Sequence, residues 1–394
     1  MFVNSSGSSS NASIVVNDSM QINNGGQYTH NTRSSHAVLV SSLSKAPGTE
    51  KGIFEFDVPG GGYTIASTKR TYGTLIFSSN ASAGSQVYAS SAASALTING
   101  DFIINAGVTI NLDLTAATII YGNFIQKGGI FNLASQPNSN TIFIKGDLTQ
   151  TAGTITETST GLPAIELNGT VNQKITLNGA IVNSVDVKIN NMAGITLLSG
   201  LVLPYHLNLI NGIVNTNSFL VTLPAGCGLQ ADSLNNNSFI NGALRKEGLA
   251  ATDHFLFPVG KDITQRWLEL KNATGNYTVE FFKANPNTLA TVVGTGIHHT
   301  SSIEYWSIKA DASPAPAASV ELSFDNVNSG GVTDMATLRV AQLVSGVWTN
   351  MGNSSTTGTA GSSGSVVSNP INMFDPSVRY FTLASSDEFQ NPCH

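Results

Sequence analysis

A short strand-like segment closing on Gly or Asn recurs through the middle of this chain at a nearly fixed interval. Leu96-Thr97-Ile98-Asn99-Gly100-Asp101-Phe102 is followed by Ile119-Ile120-Tyr121-Gly122-Asn123-Phe124, Phe143-Ile144-Lys145-Gly146-Asp147-Leu148 and Ile165-Glu166-Leu167-Asn168-Gly169-Thr170-Val171. Val187-Lys188-Ile189-Asn190-Asn191 and Leu207-Asn208-Leu209-Ile210-Asn211-Gly212 continue the series, and the key positions 100, 122, 146, 169, 191 and 212 step by 22, 24, 23, 22 and 21. Ile53–Phe56 and Thr74–Phe77 are expected to extend the same register upstream by two units. Further short runs at 108–112, 130–133, 154–156 and 174–177 alternate apolar with polar residues, the period of a half-buried strand. A unit of this length cannot bury its own apolar face but can do so when stacked on copies of itself. The expected fold is therefore all-β: a right-handed parallel β-helix, one coil per unit, its hand taken from the chirality of parallel crossovers. Eight coils between Ile53 and Leu209 would rise roughly 34 Å at strand spacing. The leucine-rich repeat shares this period, but its LxxLxL frame does not recur here.

Composition narrows the alternatives. Of 394 residues only 11% are charged, 41% are hydrophobic and 38 are Gly, so the helix formers Glu, Lys, Arg and Gln are scarce and strand and turn formers dominate. The net charge is 18 − 24 = −6, which argues against a nucleic-acid partner or an anionic membrane surface. No apolar run approaches the ~20 residues of a membrane-spanning helix. The two cysteines, Cys227 and Cys393, form no disulfide framework or zinc pattern; a buried thiol is expected at Cys227. The opening Met1-Phe2-Val3-Asn4-Ser5-Ser6-Gly7 lacks the charged and apolar regions of a signal peptide, and of a cytoplasmic protein or a mature exported segment the second is the favoured reading.

The chain divides by pattern into three parts. Residues 1–50, with strand-like runs at 13–16 and 37–40 that miss the register, are expected to form an N-terminal cap or irregular opening coils. Residues 51–235 carry the β-helix. From 236 to 394 longer strands separated by Gly, Pro and Asn are predicted at 255–259, 267–270, 277–282, 303–308, 320–324, 338–343, 347–351 and 380–383, the pattern of an Ig-like or jelly-roll-like β-sandwich. Trp306 and Trp348 are candidate core anchors, and the Gly/Ser/Thr tract 352–368 is expected to be a mobile loop.

The order of motifs in the second half, Phe239-Ile240-Asn241-Gly242 with Arg245, Phe257-Pro258-Val259-Gly260-Lys261, Tyr277-Thr278-Val279-Glu280-Phe281-Phe282, Ile303-Glu304-Tyr305-Trp306-Ser307-Ile308, Tyr380-Phe381-Thr382-Leu383 and Asn391-Pro392, resembles the large, repeat-rich surface proteins that Bacteroidota export by the type IX pathway. The resemblance is best over 239–392 and looser over the coils. It implies export and a surface location, and it transfers no catalytic residue. In that group a sorting domain follows; here the sequence ends at Asn391-Pro392-Cys393-His394 where one would be expected.

The candidate site is the edge that Asp101, Asn123 and Asp147 would form by following the Gly of three successive coils. Two readings apply: a calcium- or sugar-binding ladder, or turn chemistry in which Asx side chains bond backbone amides, and turn chemistry carries the greater weight. No other metal or cofactor is expected. Asp101 and Asp147, two coils apart, would lie roughly 9–10 Å apart at the backbone, a spacing open to an inverting glycosidase pair. The other acids nearby are Asp113, Glu157 and Glu166, and Lys127 and Lys145 are the only basic residues between 71 and 170. The aromatics Tyr72, Tyr88, Phe102, Tyr121, Phe124, Phe131 and Phe143 fit core packing better than sugar stacking. No HExxH, GxSxG, DxDxDG or dinucleotide motif is present, and His298-His299 would diverge within a strand. Asn80 and Asn272 head glycosylation-type triplets. The function expected is a non-enzymatic extracellular structural or adhesive protein, a stiff β-helical scaffold presenting a β-sandwich and contacting glycans or neighbouring chains. The alternatives are a carbohydrate-active enzyme (lyase or hydrolase) or binding module using the β-helix face, and a self-assembling filament subunit.

Overall fold

A computed structural model describes residues 1–5, 11–79, 85–92, 94–234, 236–311, 317–372 and 377–391. The chain is all-β and contains a parallel β-helix. It divides into two compact units, residues 1–212 with 227–230 and residues 213–226 with 231–394.

The first unit is a coil with three faces. On the first face, Phe2–Asn4, Gln27–His30, Ile53–Phe56, Thr74–Phe77, Phe102–Ile104, Phe124–Gln126, Leu148–Gln150, Gln173–Leu177 and Ile195–Leu197 each pair in parallel with the next. Eight such steps amount to a rise of roughly 38 Å. On the second face run Gly62–Thr64, Gln86–Ala92, Val108–Leu114, Ile130–Asn132, Thr154–Thr156 and Ala180–Ile181. On the third run Thr71–Tyr72, Leu96–Ile98, Thr118–Ile120, Thr141–Ile144, Ala164–Leu167, Asp186–Asn190, His206–Asn211 and Gly228–Gln230.

Alternation fixes which side chains enter the coil. Leu96, Ile98, Phe102 and Ile104 are fully buried, whereas Thr97 and Ile103 between them are half-exposed. Equivalent positions then stack like on like: Leu75 lies over Phe102, Phe102 over Phe124, Phe124 over Leu148 and Leu148 over Ile175. Phe56–Phe77, Phe77–Phe102 and Phe102–Phe124 ring centroids are 5.5, 5.8 and 5.7 Å apart, a continuous aromatic column. Each buried side chain of this size contributes about 1.5–3 kcal/mol. Two inward positions are amides. Gln126 and Gln150 are fully buried, Gln150 Nε2 donates to Gln126 Oε1 at 3.0 Å, and both side chains also donate to carbonyls of the second-face corner.

Glycine at the corner between third and first faces has a steric cause. A Cβ on Gly122 would lie 2.4 Å from the carbonyl oxygen of Gly100, and one on Gly146 would lie 2.4 Å from that of Gly122. Gly73 and Gly52 repeat the contact one level apart, at 2.3 Å. None of these five is at positive φ, so the demand is for close approach of stacked backbones and not for a left-handed conformation.

Several sequence expectations need correction. Ile53–Phe56 and Thr74–Phe77 lie on the first face, not in the third-face series that begins at Leu96; Thr71–Tyr72 is the strand that extends that series. Lys174–Leu177 is likewise on the first face, and Ala180–Ile181 takes its place on the second. Apolar alternation identifies strands but not faces, because corner lengths differ from coil to coil. Near the N-terminus the parallel strands are Phe2–Asn4 and Gln27–His30; residues 13–16 form no strand, and Ala37–Ser41 is a single helical turn.

In the second unit the strand Ile240–Leu249 has different partners on its two edges. It pairs in parallel with Val214–Leu223, while on the other edge its Leu244–Leu249 portion pairs antiparallel with Gly275–Phe282. Antiparallel pairing then continues through Tyr305–Ala310, Val378–Ser385, Leu338–Val344 and Val347–Asn350. A second antiparallel sheet runs His254–Phe257, Leu268–Lys271, Ser319–Asp325, Ser363–Val367, Ser355–Gly358. The last two strands lie in the tract expected to be a mobile loop. They form a hairpin whose Val366 and Val367 are buried and whose Gly364 packs so closely on the Thr357 carbonyl that a Cβ would meet it at 2.0 Å. Trp306 and Trp348 are fully buried, Trp306 Nε1 donating to Arg266 O at 2.9 Å.

The corner contact sets a test. Gly122→Ala is expected to cost about 1–3 kcal/mol by overpacking, whereas Gly62→Ala, with no atom within 4 Å of the added carbon, should change stability by less than about 0.5 kcal/mol. Chemical denaturation of the two variants reads the difference.

Candidate functional site

The coil corner places Asp101, Asn123 and Asp147 one above another, half-buried, immediately after the stacked glycines. Asp101 Oδ1 accepts from Asn123 N at 2.8 Å and Asn123 Nδ2 at 3.1 Å. Asn123 Oδ1 accepts from Asp147 N at 2.8 Å, and Asp147 Oδ1 accepts from Lys174 N at 2.8 Å. One level earlier Thr74 Oγ1 does the same for Asp101 N at 3.3 Å. Each side-chain oxygen therefore bonds the backbone amide at the corner of the following coil, an amide left outside the strand ladder. Local side chain-to-amide bonding of this kind is what short polar residues supply at turns. The ladder stops where the corner lengthens: after Asn168, Gln173 folds back so that its Oε1 accepts from Gly169 N at 2.8 Å and its Nε2 donates to Ile144 O at 3.0 Å.

The other acids of the coils are engaged too. Asp113 accepts from Ser135 N, Ser135 Oγ and Gln136 N; Glu157 accepts from Ser159 N at 2.8 Å and Ser184 N at 3.1 Å. Glu166 accepts from Asn190 Nδ2 at 2.9 Å, and Lys145 Nζ donates to Asn168 O at 3.2 Å. Asp101 and Asp147 lie two coils apart on this edge, with Asn123 between them in the ladder. Of the coil aromatics, Tyr72, Tyr88, Phe102, Phe124 and Phe131 are in the core, Tyr121 is exposed and Phe143 half-buried. Cys227 is buried, its Sγ 3.5 Å from Gly228 O. Cys393 and Asn80 lie outside the described residues, and Asn272 sits in a turn at φ 59°. His298 and His299 do not diverge: their rings meet edge-on at 5.7 Å, because His298 precedes the two-residue strand, and His299 Nε2 lies 2.8 Å from Asn391 O. Among the described residues no three His, Cys, Asp or Glu side chains gather as a cation site, and no helix is long and apolar enough to cross a membrane.

One titratable cluster had no signal in the periodicity. In the opening coils His30 and His36 are both buried, and both contact the Tyr63 hydroxyl, at 2.9 Å from His30 Nε2 and 2.7 Å from His36 Nδ1. Tyr63 in turn donates to Ser34 O at 2.7 Å, Ala66 N donates to His36 Nε2 at 2.8 Å, and Tyr28 OH lies 3.1 Å from His30 Nδ1. Burial pushes His30 down to about 4; burial, then His30 and Arg70, push His36 down to about 3. A histidine that accepts a backbone N–H, as His36 does, is held neutral. The residues are spread over positions 28 to 66 with no common spacing, so only the folded coil unites them.

Comparison with protein-family models, curated proteins and solved structures finds no match, and the functional reading rests on this chain's own geometry.

Two outcomes follow. Asp101→Asn keeps the Oδ1 acceptor and should leave stability nearly unchanged, whereas Asp101→Ala orphans the Asn123 amide and should cost about 1–3 kcal/mol; thermal denaturation separates them. For the histidines, the unfolded chain takes up protons below about 6.5, while the folded state resists protonation until about 4 and about 3. Their contribution is therefore intact above pH 6.5 and is lost as the pH falls from 6.5 towards 4, with a limiting slope of about 2.7 kcal/mol per pH unit for two protons. Denaturation midpoints of the wild type and His36→Gln across this range should show a shallower acid loss in the variant.

Proposed function

We propose that the chain is a non-enzymatic structural and adhesive protein of the cell exterior, a stiff β-helical scaffold carrying a β-sandwich and touching glycans or neighbouring chains. The observation that carries the reading is the use made of the coil acids: Asp101, Asp113, Asp147, Glu157 and Glu166 each hold a backbone amide or a side-chain amide of a coil or corner, which is the work of a scaffold. Continuous parallel pairing through nine strands of one face supports stiffness. Two antiparallel sheets with buried Trp306, Val320, Leu322 and Leu383 support the sandwich reading of the second unit. Low charge and the likeness of 239–392 to exported surface proteins support the location.

The test is co-sedimentation of the full chain with insoluble polysaccharides, cellulose, chitin and xylan, followed by assay of the supernatant for reducing ends. Retention without release of reducing ends is expected; a steady release would overturn the non-enzymatic reading.

A further inference from the structure

The second unit holds a cleft of about 410 Å³, within the size range of small-ligand sites, walled by strand Ser319–Asp325, by the hairpin 355–367 and by the segment around Arg266. Arg266 is 3% exposed. Its Nε donates to Glu304 Oε2 at 3.0 Å and its Nη1 to Gln265 O at 2.8 Å. Its Nη2 has no hydrogen-bond partner and stands 3.7 Å from Asp325 Oδ2. Ser323 Oγ, on the strand wall, is buried and also without a partner. A buried polar group with nothing to bond costs about 1–3 kcal/mol, and two lining one cleft call for an occupant that supplies the missing bonds.

The occupant's charge follows from the surroundings. Arg266 faces Glu304 on one side and Asp325 on the other. Burial pushes the Glu304 carboxyl up and Arg266 holds it down, but with Glu304 in either state the three groups carry no net positive charge. A phosphate, sulfate or uronate would therefore meet Asp325 uncompensated. A neutral hydroxyl group suits both walls, accepting from Arg266 Nη2 or Ser323 and donating to Asp325. The apolar contribution is also specific. The chain has three tryptophans; Trp306 and Trp348 are fully buried, whereas Trp267 is only half-buried and lines the cleft beside Leu234, which is 80% exposed. A half-buried indole lining a polar cleft offers apolar surface to the C–H face of a sugar ring.

We infer that the cleft bordered by Arg266, Trp267, Ser323 and Asp325 is a binding site for a neutral saccharide, the ring lying on Trp267 and its hydroxyl groups meeting Arg266, Ser323 and Asp325. This rests on the glycan-contacting part of the proposed function, and places the contact away from the β-helix edge. The test is isothermal titration calorimetry of the full chain with cellotetraose, xylotetraose, mannotetraose and chitotetraose, and with tetragalacturonate as the acidic counterpart. Saturable binding of at least one neutral tetrasaccharide is expected, tighter than that of tetragalacturonate. Trp267→Ala should weaken it by about tenfold or more, and Ser323→Ala by roughly two- to tenfold. Because it removes a buried hydroxyl that has no partner, Ser323→Ala should not lower the melting temperature, so its binding result stands even where Trp267→Ala disturbs folding. Absence of binding to all four neutral sugars, or preference for tetragalacturonate, overturns the inference. Neutral-sugar binding that survives both substitutions overturns the site while leaving glycan contact by the chain in place.

Discussion

The first unit depends on how closely one coil lies on the next. Parallel strands approach to the hydrogen-bonding distance of about 4.8 Å, and at a corner, where no ladder separates the backbones, the same spacing brings an α-carbon almost onto the carbonyl of the coil beneath. Gly52, Gly73, Gly100, Gly122 and Gly146 are the response, the last four each closing on the coil before it. The removal of side chains at the corner leaves amides outside the ladder, and the residue that follows each glycine supplies the acceptor. Thr74, Asp101, Asn123 and Asp147 form one continuous line of such acceptors. Glycine and Asx are thus two halves of one solution, steric and polar, to a single geometric demand.

This explains what could be read from the sequence. The Gly-Asx dipeptide stood out because the corner tolerates few residue types, and the third-face strands were legible because they precede it at constant distance. The faces themselves were not. The segment between the Gly at 169 and its first-face strand is longer than that after Gly100, Gly122 or Gly146, so Lys174–Leu177 read as a second-face strand although it pairs with Leu148–Gln150 on the first. The inward amides Gln126 and Gln150 were invisible for the opposite reason: an amide at an apolar position breaks the pattern, and only the stack of one on the other satisfies it. His30 and His36 lie in one coil and Tyr63 in the next, and Arg266, between two strands, lies 59 residues from Asp325, so neither cluster leaves a local signature. The second-half strands were legible in position, and the hairpin 355–367 was missed because Gly, Ser and Thr content is shared by loops and by tightly packed strand pairs.

The two modes of β pairing meet in Ile240–Leu249. One edge of this strand continues the parallel order of Val214–Leu223, and the other opens antiparallel pairing with Gly275–Phe282. An unpaired strand edge is a template for association; both edges of Ile240–Leu249 are occupied by strands of the same unit. From this strand onward charged groups pair with one another, Arg245 with Asp311 and Glu247, Lys271 with Glu321, and Arg266 with Glu304, whereas the acids Asp101, Asp113, Asp147 and Glu157 of the coils accept from backbone amides.

The glycine corner has an evolutionary corollary. Because each first-face strand pairs with the strands directly above and below it, cutting the gene at one corner glycine and rejoining it at another removes or adds a whole level while keeping strands and corners in phase, although a paired amide such as Gln126 with Gln150 must be kept or lost together. Recombination within such a gene can therefore change the reach of the scaffold in increments of a single rung, whereas an exchange out of phase by even one residue would set a side chain against a carbonyl and be discarded at folding.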